Sequence, residues 1–260
     1  MEVVILGSAA EVGRLAARTI VRLVGRKPDA VLGLATGSSP LAIYAALAEH
    51  VRDGTLDTRA VTAFALDEYV GIPAGHPESY ASVIAREVTG PLRLDPDRVH
   101  VPDGRAPDLA AAGEAYEAAI RSAGGVDLQI LGIGANGHLG FNEPTSSLRS
   151  RTRLKTLAPQ TRADNARFFD DPDQVPTHCV TQGLGTIMDA RELVLVAQGA
   201  EKAKAVADAV EGPVTSMCPG SILQFHPRAT VIIDDAAAAE LSLTDYYRYT
   251  YAHKPDWQRF

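Results

Sequence analysis

The sequence predicts an α/β fold, a single doubly wound and mostly parallel sheet with helices on both faces. Three features carry that expectation. Short β-branched runs alternate with stretches of helical period; the runs have few polar interruptions, as strands buried on both faces do; and no break in composition divides the 260 residues. At about 150 residues per domain the length allows one large domain or two small ones, and the even composition favours one, spanning 1–260.

The first unit is a strand at Glu2–Leu6, centred on Val3, Val4 and Ile5, followed by a helix at Ala9–Val24. The second pairs Ala30–Ala35 with Leu41–Val51, and the third pairs Val61–Leu66 with Pro77–Thr89. A helix follows near Pro107–Ala123, then a strand at Val126–Ile133 that runs into a glycine-rich stretch. Leu193–Ala197 and Glu201–Val210 repeat the strand–helix rhythm, Ala229–Asp234 supplies another strand, and Ala236–Ala239 is expected to open a helix. Clusters of Pro, Gly and Asp at Gly71–Pro77, Asp95–Pro107 and Asp170–Pro176 read as loops between elements, not as linkers between domains. A mobile, lid-like segment is expected around residues 144–176. The aromatic tail Tyr246–Phe260, ending in Trp257 and Phe260, reads as core or interface packing.

Composition narrows the function. The chain carries 25 Lys and Arg against 32 Asp and Glu, a formal net charge of −7. General binding to nucleic acid or to an anionic membrane needs Lys/Arg-rich faces, so neither is an expected partner and any anion must be held locally. One stretch could hold one: Arg149, Arg151, Arg153, Lys155, Arg162 and Arg167 stand against a single acid, Asp164. Cys179 and Cys218 lie far apart and outside any CxxC pair, so neither a disulfide scaffold nor a metal site is expected and reducing cytoplasm is the simplest compartment. The opening residues lack the basic flank of a secretory signal, and no run of about 18 apolar residues is free of charge.

In open parallel sheets ligands gather outside the carboxyl ends of the strands. Three strand ends here carry chemistry. After Ala30–Ala35 comes Thr36-Gly37-Ser38-Ser39-Pro40, with Pro40 at an expected first helical position; free N–H groups, small hydroxyls and a helix dipole make a phosphate seat. The alternative is a Ser-capped helix without a ligand. The P-loop lysine is missing, which argues against a nucleoside triphosphate. After Val61–Leu66 come two adjacent carboxylates, Asp67 and Glu68, which cannot both point the same way. A partly desolvated carboxylate there has a raised pKa and can move a proton on and off carbon.

At the end of Val126–Ile133 the stretch Gly132-Ile133-Gly134-Ala135-Asn136-Gly137-His138-Leu139-Gly140-Phe141-Asn142-Glu143-Pro144 contains a formal GxGxxG. A dinucleotide site needs a helix opening at the third glycine, and Gly140, Asn142 and Pro144 oppose one. The glycines instead let Asn136, His138 and Glu143 approach one point as amide, imidazole and carboxylate.

Together these segments, LDEYVG from Leu66, HPESY from His76, GIGANGHLGFNEP from Gly132, Ser150–Arg153, Thr161-Arg162 with Asn165, Arg167-Phe168-Phe169 and Gly199–Lys202, resemble the glucosamine-6-phosphate deaminase family. The resemblance runs from about residue 3 to residue 245. It implies conversion of glucosamine 6-phosphate and water to fructose 6-phosphate and ammonia in amino-sugar catabolism, with no cofactor and no metal. Asp67 then matches the base that carries the C2 proton toward C1. His138 matches the residue that assists ring opening, tuned by Asn136 and Glu143. The phosphate contacts correspond to Thr36, Gly37, Ser38, Ser39, Arg167 and Lys202.

The resemblance has departures. Some members carry Asp where this chain has Asn136, which shifts the electrostatic support of His138 toward Glu143. In members activated by N-acetylglucosamine 6-phosphate the effector residues match Ser147, Arg153 and Lys155 plus a C-terminal Tyr, and that last position holds Arg248, flanked by Tyr247 and Tyr249. The implied reading is an allosteric remnant without control, and a homo-oligomer is left open. The rival readings are a 6-phosphogluconolactonase-like hydrolase, which would not need LDEYVG or FNEP, and a non-catalytic sugar-phosphate-binding regulator.

Overall fold

In chain order the elements are β1 (Glu2–Leu6), α1 (Ala9–Arg26), β2 (Val31–Leu34), α2 (Ser38–Arg52), β3 (Thr62–Ala65), β4 (Asp67–Tyr69), α3 (Tyr80–Ile84), β5 (Val99–His100), α4 (Leu109–Ser122), β6 (Leu128–Leu131), β7 (Arg153–Thr156), α5 (Pro159–Asn165), β8 (His178–Thr181), α6 (Leu184–Met188), β9 (Glu192–Ala197), α7 (Ala203–Val210), β10 (Ala229–Asp234) and α8 (Thr244–Ala252). The structure, a computed structural model, describes residues 1–255 and Gln258. Trp257 and Phe260 of the expected aromatic tail lie outside the described residues.

Among the described residues seven strands form an all-parallel sheet in the order β1-β10-β9-β6-β2-β3-β5. Successive strand residues face opposite sides, so β2 and β6, buried at every position, are covered on both faces. The expected doubly wound α/β architecture is present. From β2 the chain progresses one way to β3 and β5, and from β6 the other way to β9 and β10. The order therefore reverses between β2 and β6, and a crevice opens beyond their carboxyl ends.

A second sheet was not legible in the sequence. β4, β8 and β7 pair antiparallel, with Asp67 and Arg153 both opposite Thr181. β3 and β4 are separated by Leu66 alone, so the chain leaves one sheet and enters the other within a single residue. That turn sets Asp67 at the seam. β7 and β4 are too short, and too polar in the case of β7, to show a strand period by themselves.

Other expectations need correction. α2 starts at Ser38 with Gly37 as its N-cap, which makes Pro40 the third helical residue instead of the first. Residues 236–239 form hydrogen-bonded turns, because the Asp234 carboxylate and carbonyl accept from Ala237 and Ala238 and end the run. The loop expected at 95–107 holds a turn at Pro96–Arg98 and β5, which adds an edge strand beside β3. The helix expected at 77–89 begins at Tyr80, where the Ser79 hydroxyl accepts from Ser82 N–H, and passes into a π-turn at Ala85–Thr89. In the tail, Tyr247 and Tyr251 pack against the core while Tyr246 and Tyr249 are exposed.

Candidate active site

The crevice between β2 and β6 holds a cavity of about 320 Å³. Small-molecule sites begin near 300 Å³. Residues 36–41, Arg167, Lys202, Asp67 and His138 all line the cavity.

One group of these residues suits an anion. Gly37 adopts φ 96°, a left-handed value that disfavours any side chain, and no side chain caps the 15-residue helix that follows. The first N–H groups of α2 thus lack intrahelical acceptors at the positive end of the helix dipole. The Tyr44 hydroxyl braces the turn, donating to Ala35 O at 2.8 Å and accepting from Ala35 N–H at 3.2 Å. Burial, with help from Arg167, pushes the Lys202 ammonium down, against the opposing pull of Glu201 and Asp164. An anion placed between these cations relieves their repulsion.

A second group of lining residues suits proton transfer. Asp67 is 5% exposed. Burial and the neighbouring Glu68 push its carboxyl from 3.8 up to about 8, against a hydrogen bond from Thr181. Glu68 points away and accepts from Tyr69, Tyr80 and Ala81 N–H at 2.8–2.9 Å, so it ties the start of α3 to β4. The two adjacent carboxylates have therefore split, one to the cavity and one to structure.

His138 sits in the glycine-rich loop beyond β6. Its ring occupies the space a Gly134 side chain would fill, and a side chain on Gly140 (φ 55°) would come within 3.2 Å of Asp67 Oδ2. Those two glycines let imidazole and carboxylate share one cavity. Behind the ring, Glu143 Oε2 lies 3.7 Å from His138 Nδ1, an ion-pair separation longer than a hydrogen bond. Glu143 accepts from Asn136 Nδ2 at 2.7 Å and from Ala158 N–H at 3.2 Å. Burial alone would raise its carboxyl, but His138, the Thr161 hydroxyl and Asn136 hold it at about 2. Glu143 is thus a fixed anion beneath the imidazole.

The family model described as glucosamine-6-phosphate isomerases/6-phosphogluconolactonase matches residues 7–232. The chain belongs to that family. It is 61% identical to a protein named glucosamine-6-phosphate deaminase from Pseudarthrobacter chlorophenolicus over 99% of both chains. A Streptomyces coelicolor protein of the same name matches at 61% over 99% of each. Among solved structures, a monomeric glucosamine-6-phosphate deaminase superposes with a TM-score of 0.90 at 39% identity, covering 92% of this chain and 100% of that one. A 6-phosphogluconolactonase from Trypanosoma cruzi superposes at 0.74 with 22% identity over 93% and 97%, which shows a shared fold alone.

Of the residues that the family resemblance singled out, Asp67, His138, Thr36, Gly37, Ser38, Ser39, Arg167 and Lys202 line the one cavity. Asn136 and Glu143 stand behind it. Asn136, expected with Glu143 to tune His138, donates its amide to the Glu143 carboxylate, and its oxygen accepts the His138 backbone N–H at 3.2 Å. Ser147, Arg153 and Lys155 do not line the cavity. Arg153 Nη1 donates to buried Asn142 Oδ1 at 2.8 Å, and the Ser147 hydroxyl accepts from Arg149 N–H.

The basic stretch 149–167 is mostly structural. Arg151 binds Glu117 and Asp189, Arg162 donates to Val175 O, and Arg167 alone of the six lines the cavity. Sequence reasoning missed Thr181, whose hydroxyl meets Asp67 from a strand that carries no motif. It also gave no role to Tyr80 or Phe141, which line the cavity from inside motifs that were read. Among the described residues no group of three or more His, Cys, Asp or Glu is placed to hold a metal ion, and no helix is long and apolar enough to cross a membrane.

Proposed function

We propose that this chain converts glucosamine 6-phosphate and water to fructose 6-phosphate and ammonia. The observation that supports the reading most is the make-up of one cavity, whose lining combines an uncapped helix start and two cations with a desolvated carboxylate and an imidazole. The substrate is built the same way, a phosphate dianion at C6 and an ammonium at C2.

The chemistry follows from the groups present. His138, held over the Glu143 anion, moves a proton between O1 and O5 and opens the pyranose. The substrate ammonium brings a positive charge beside Asp67, which favours the ionised carboxylate that burial otherwise resists. Asp67 then takes the proton from C2 and returns it to C1, while a second proton passes from the ammonium to O1, converting the aldehyde and ammonium into a C1 alcohol and a C2 iminium. Water adds to C2, and collapse of the carbinolamine expels ammonia and leaves the ketone. A carboxyl titrating near neutrality suits both halves of the proton shuttle.

We also read the whole chain as one domain, residues 144–176 as a lid over the cavity, and the cytoplasm as its compartment. Ammonia release from glucosamine 6-phosphate, matched mole for mole by fructose 6-phosphate, tests the proposal. Hydrolysis of 6-phosphogluconolactone without ammonia release would assign the chain to the other branch of the family, and tight binding of sugar phosphate with no turnover would make it a regulator.

A further inference from the structure

Two residues of the sequence motifs have no role in that mechanism, Tyr69 of LDEYVG and Asn165 beside Arg167. Tyr69 is the last residue of β4, two beyond Asp67, and is 2% exposed. Its hydroxyl oxygen accepts from Asn165 Nδ2 at 3.1 Å and from the Tyr80 hydroxyl at 3.2 Å. Its ring meets Phe169 edge-on, with centroids 5.8 Å apart. Asn165 and Phe169 bracket Arg167 in sequence. The two residues that flank the phosphate-facing arginine thus both rest on one tyrosine.

That arrangement has a physical purpose. α5 has seven residues and no side-chain cap, and the turn Ala166–Phe168 that carries Arg167 follows directly. A helix this short does not persist on its own hydrogen bonds, so its direction must come from tertiary contacts. At its start those contacts are Ala158 N–H and the Thr161 hydroxyl on Glu143. At its end they are Asn165 and Phe169 on Tyr69. Arg167 itself is exposed, its guanidinium lying over the Phe168 ring at 4.8 Å.

We propose that Tyr69 is a positioning residue for phosphate recognition, acting through Asn165 to hold the end of α5 in the register that brings Arg167 to the seat on α2. The inference rests on the phosphate seat of the proposed function. It joins the strand that carries the base to the segment that carries the phosphate cation.

Calorimetric titration of the full chain with inorganic phosphate, and with fructose 6-phosphate, tests it without relying on turnover. Tyr69→Phe keeps the ring against Phe169 and removes the acceptor, and should weaken both ligands about fivefold, the worth of one net hydrogen bond. Asn165→Ala should weaken them by a similar factor, and it serves as the measurement if Tyr69→Phe does not fold. In the Arg167→Ala background either change should alter affinity less than about twofold, because coupled residues give non-additive effects. In steady-state assays the loss should fall mainly on KM. Unchanged affinity in Tyr69→Phe and Asn165→Ala, or factors that simply multiply with Arg167→Ala, would overturn the positioning role while leaving the seat intact. A wild-type chain that binds neither ligand would overturn the seat, and this inference with it.

Discussion

Replacing Asp67 with Asn should make the protein inactive and, at neutral to alkaline pH, more stable. In the folded state burial and Glu68 raise the carboxyl from 3.8 to about 8. Between those values the unfolded chain has released a proton that the folded chain keeps, so unfolding stability falls as pH rises through the interval. The span of about four pH units, at about 1.36 kcal/mol each, corresponds to roughly 5 kcal/mol lost by pH 8 and roughly 4 by pH 7. Asn mimics the protonated carboxyl and avoids that loss. Urea unfolding of wild type and Asp67→Asn at intervals from pH 4 to pH 9 should therefore give curves that coincide near pH 4 and diverge upward, the variant being the more stable. Turnover should drop by about 10²–10⁴, the usual contribution of a general acid or base, and solvent exchange at C2 should vanish with it. For the wild type, kcat/KM should climb with pH toward about 8 as the base ionises. A stability difference that does not change with pH would refute the burial argument, and a variant keeping more than a tenth of wild-type turnover would refute the base assignment.

Glu143 runs the other way. Its folded value of about 2 lies below the ordinary 4.5, so its stabilisation is present above pH 4.5 and is lost as pH falls through about 2. Glu143→Gln should cost up to about 3 kcal/mol at pH 7 and little at pH 2, measured by chemical unfolding, and should slow ring opening in stopped-flow assays with the cyclic substrate; equal stability at pH 7 would show that the carboxylate is not held by its neighbours. Arg167→Ala and Lys202→Ala should each raise KM about 10- to 100-fold, the worth of a charge-assisted contact, and comparable efficiency on unphosphorylated glucosamine would remove the seat. Substrate curves should be hyperbolic, with less than about a fivefold rise in rate at saturating N-acetylglucosamine 6-phosphate, since Arg153 is engaged with Asn142 and Arg248 with Asp235; sigmoidal curves made hyperbolic by that effector would restore allosteric control.

The parallel sheet was readable because each of its longer strands and helices carries its own period. α1 shows this directly, since Val12, Leu15, Ala16, Ile20 and Val24 are buried at helical spacing behind the Ser8 cap. The chemistry at the strand ends was readable for a related reason, as Asp67, His138 and the glycines around it lie within short contiguous motifs. β4, β7 and β8 were not readable, because they are short, β4 and β7 are largely polar, and β4 pairs with β8 across more than 100 residues.

By itself, then, the amino-acid sequence determined the fold class, the family resemblance and the kinds of side chain available for a sugar phosphate, all of which depend on local order along the chain. Tertiary structure decided the state and partners of those side chains. Asp67 and Glu68 are adjacent and chemically alike, yet one is desolvated in the cavity and the other is tied down by three backbone N–H groups. Six basic residues between 149 and 167 look equivalent in sequence, and Arg167 alone of them lines the cavity. The reason is physical. Desolvation, ion pairing and hydrogen-bond geometry depend on distance in space, and the groups that set them here, Thr181 for Asp67, Ala158 for Glu143 and Tyr69 for Asn165, arrive from remote parts of the chain.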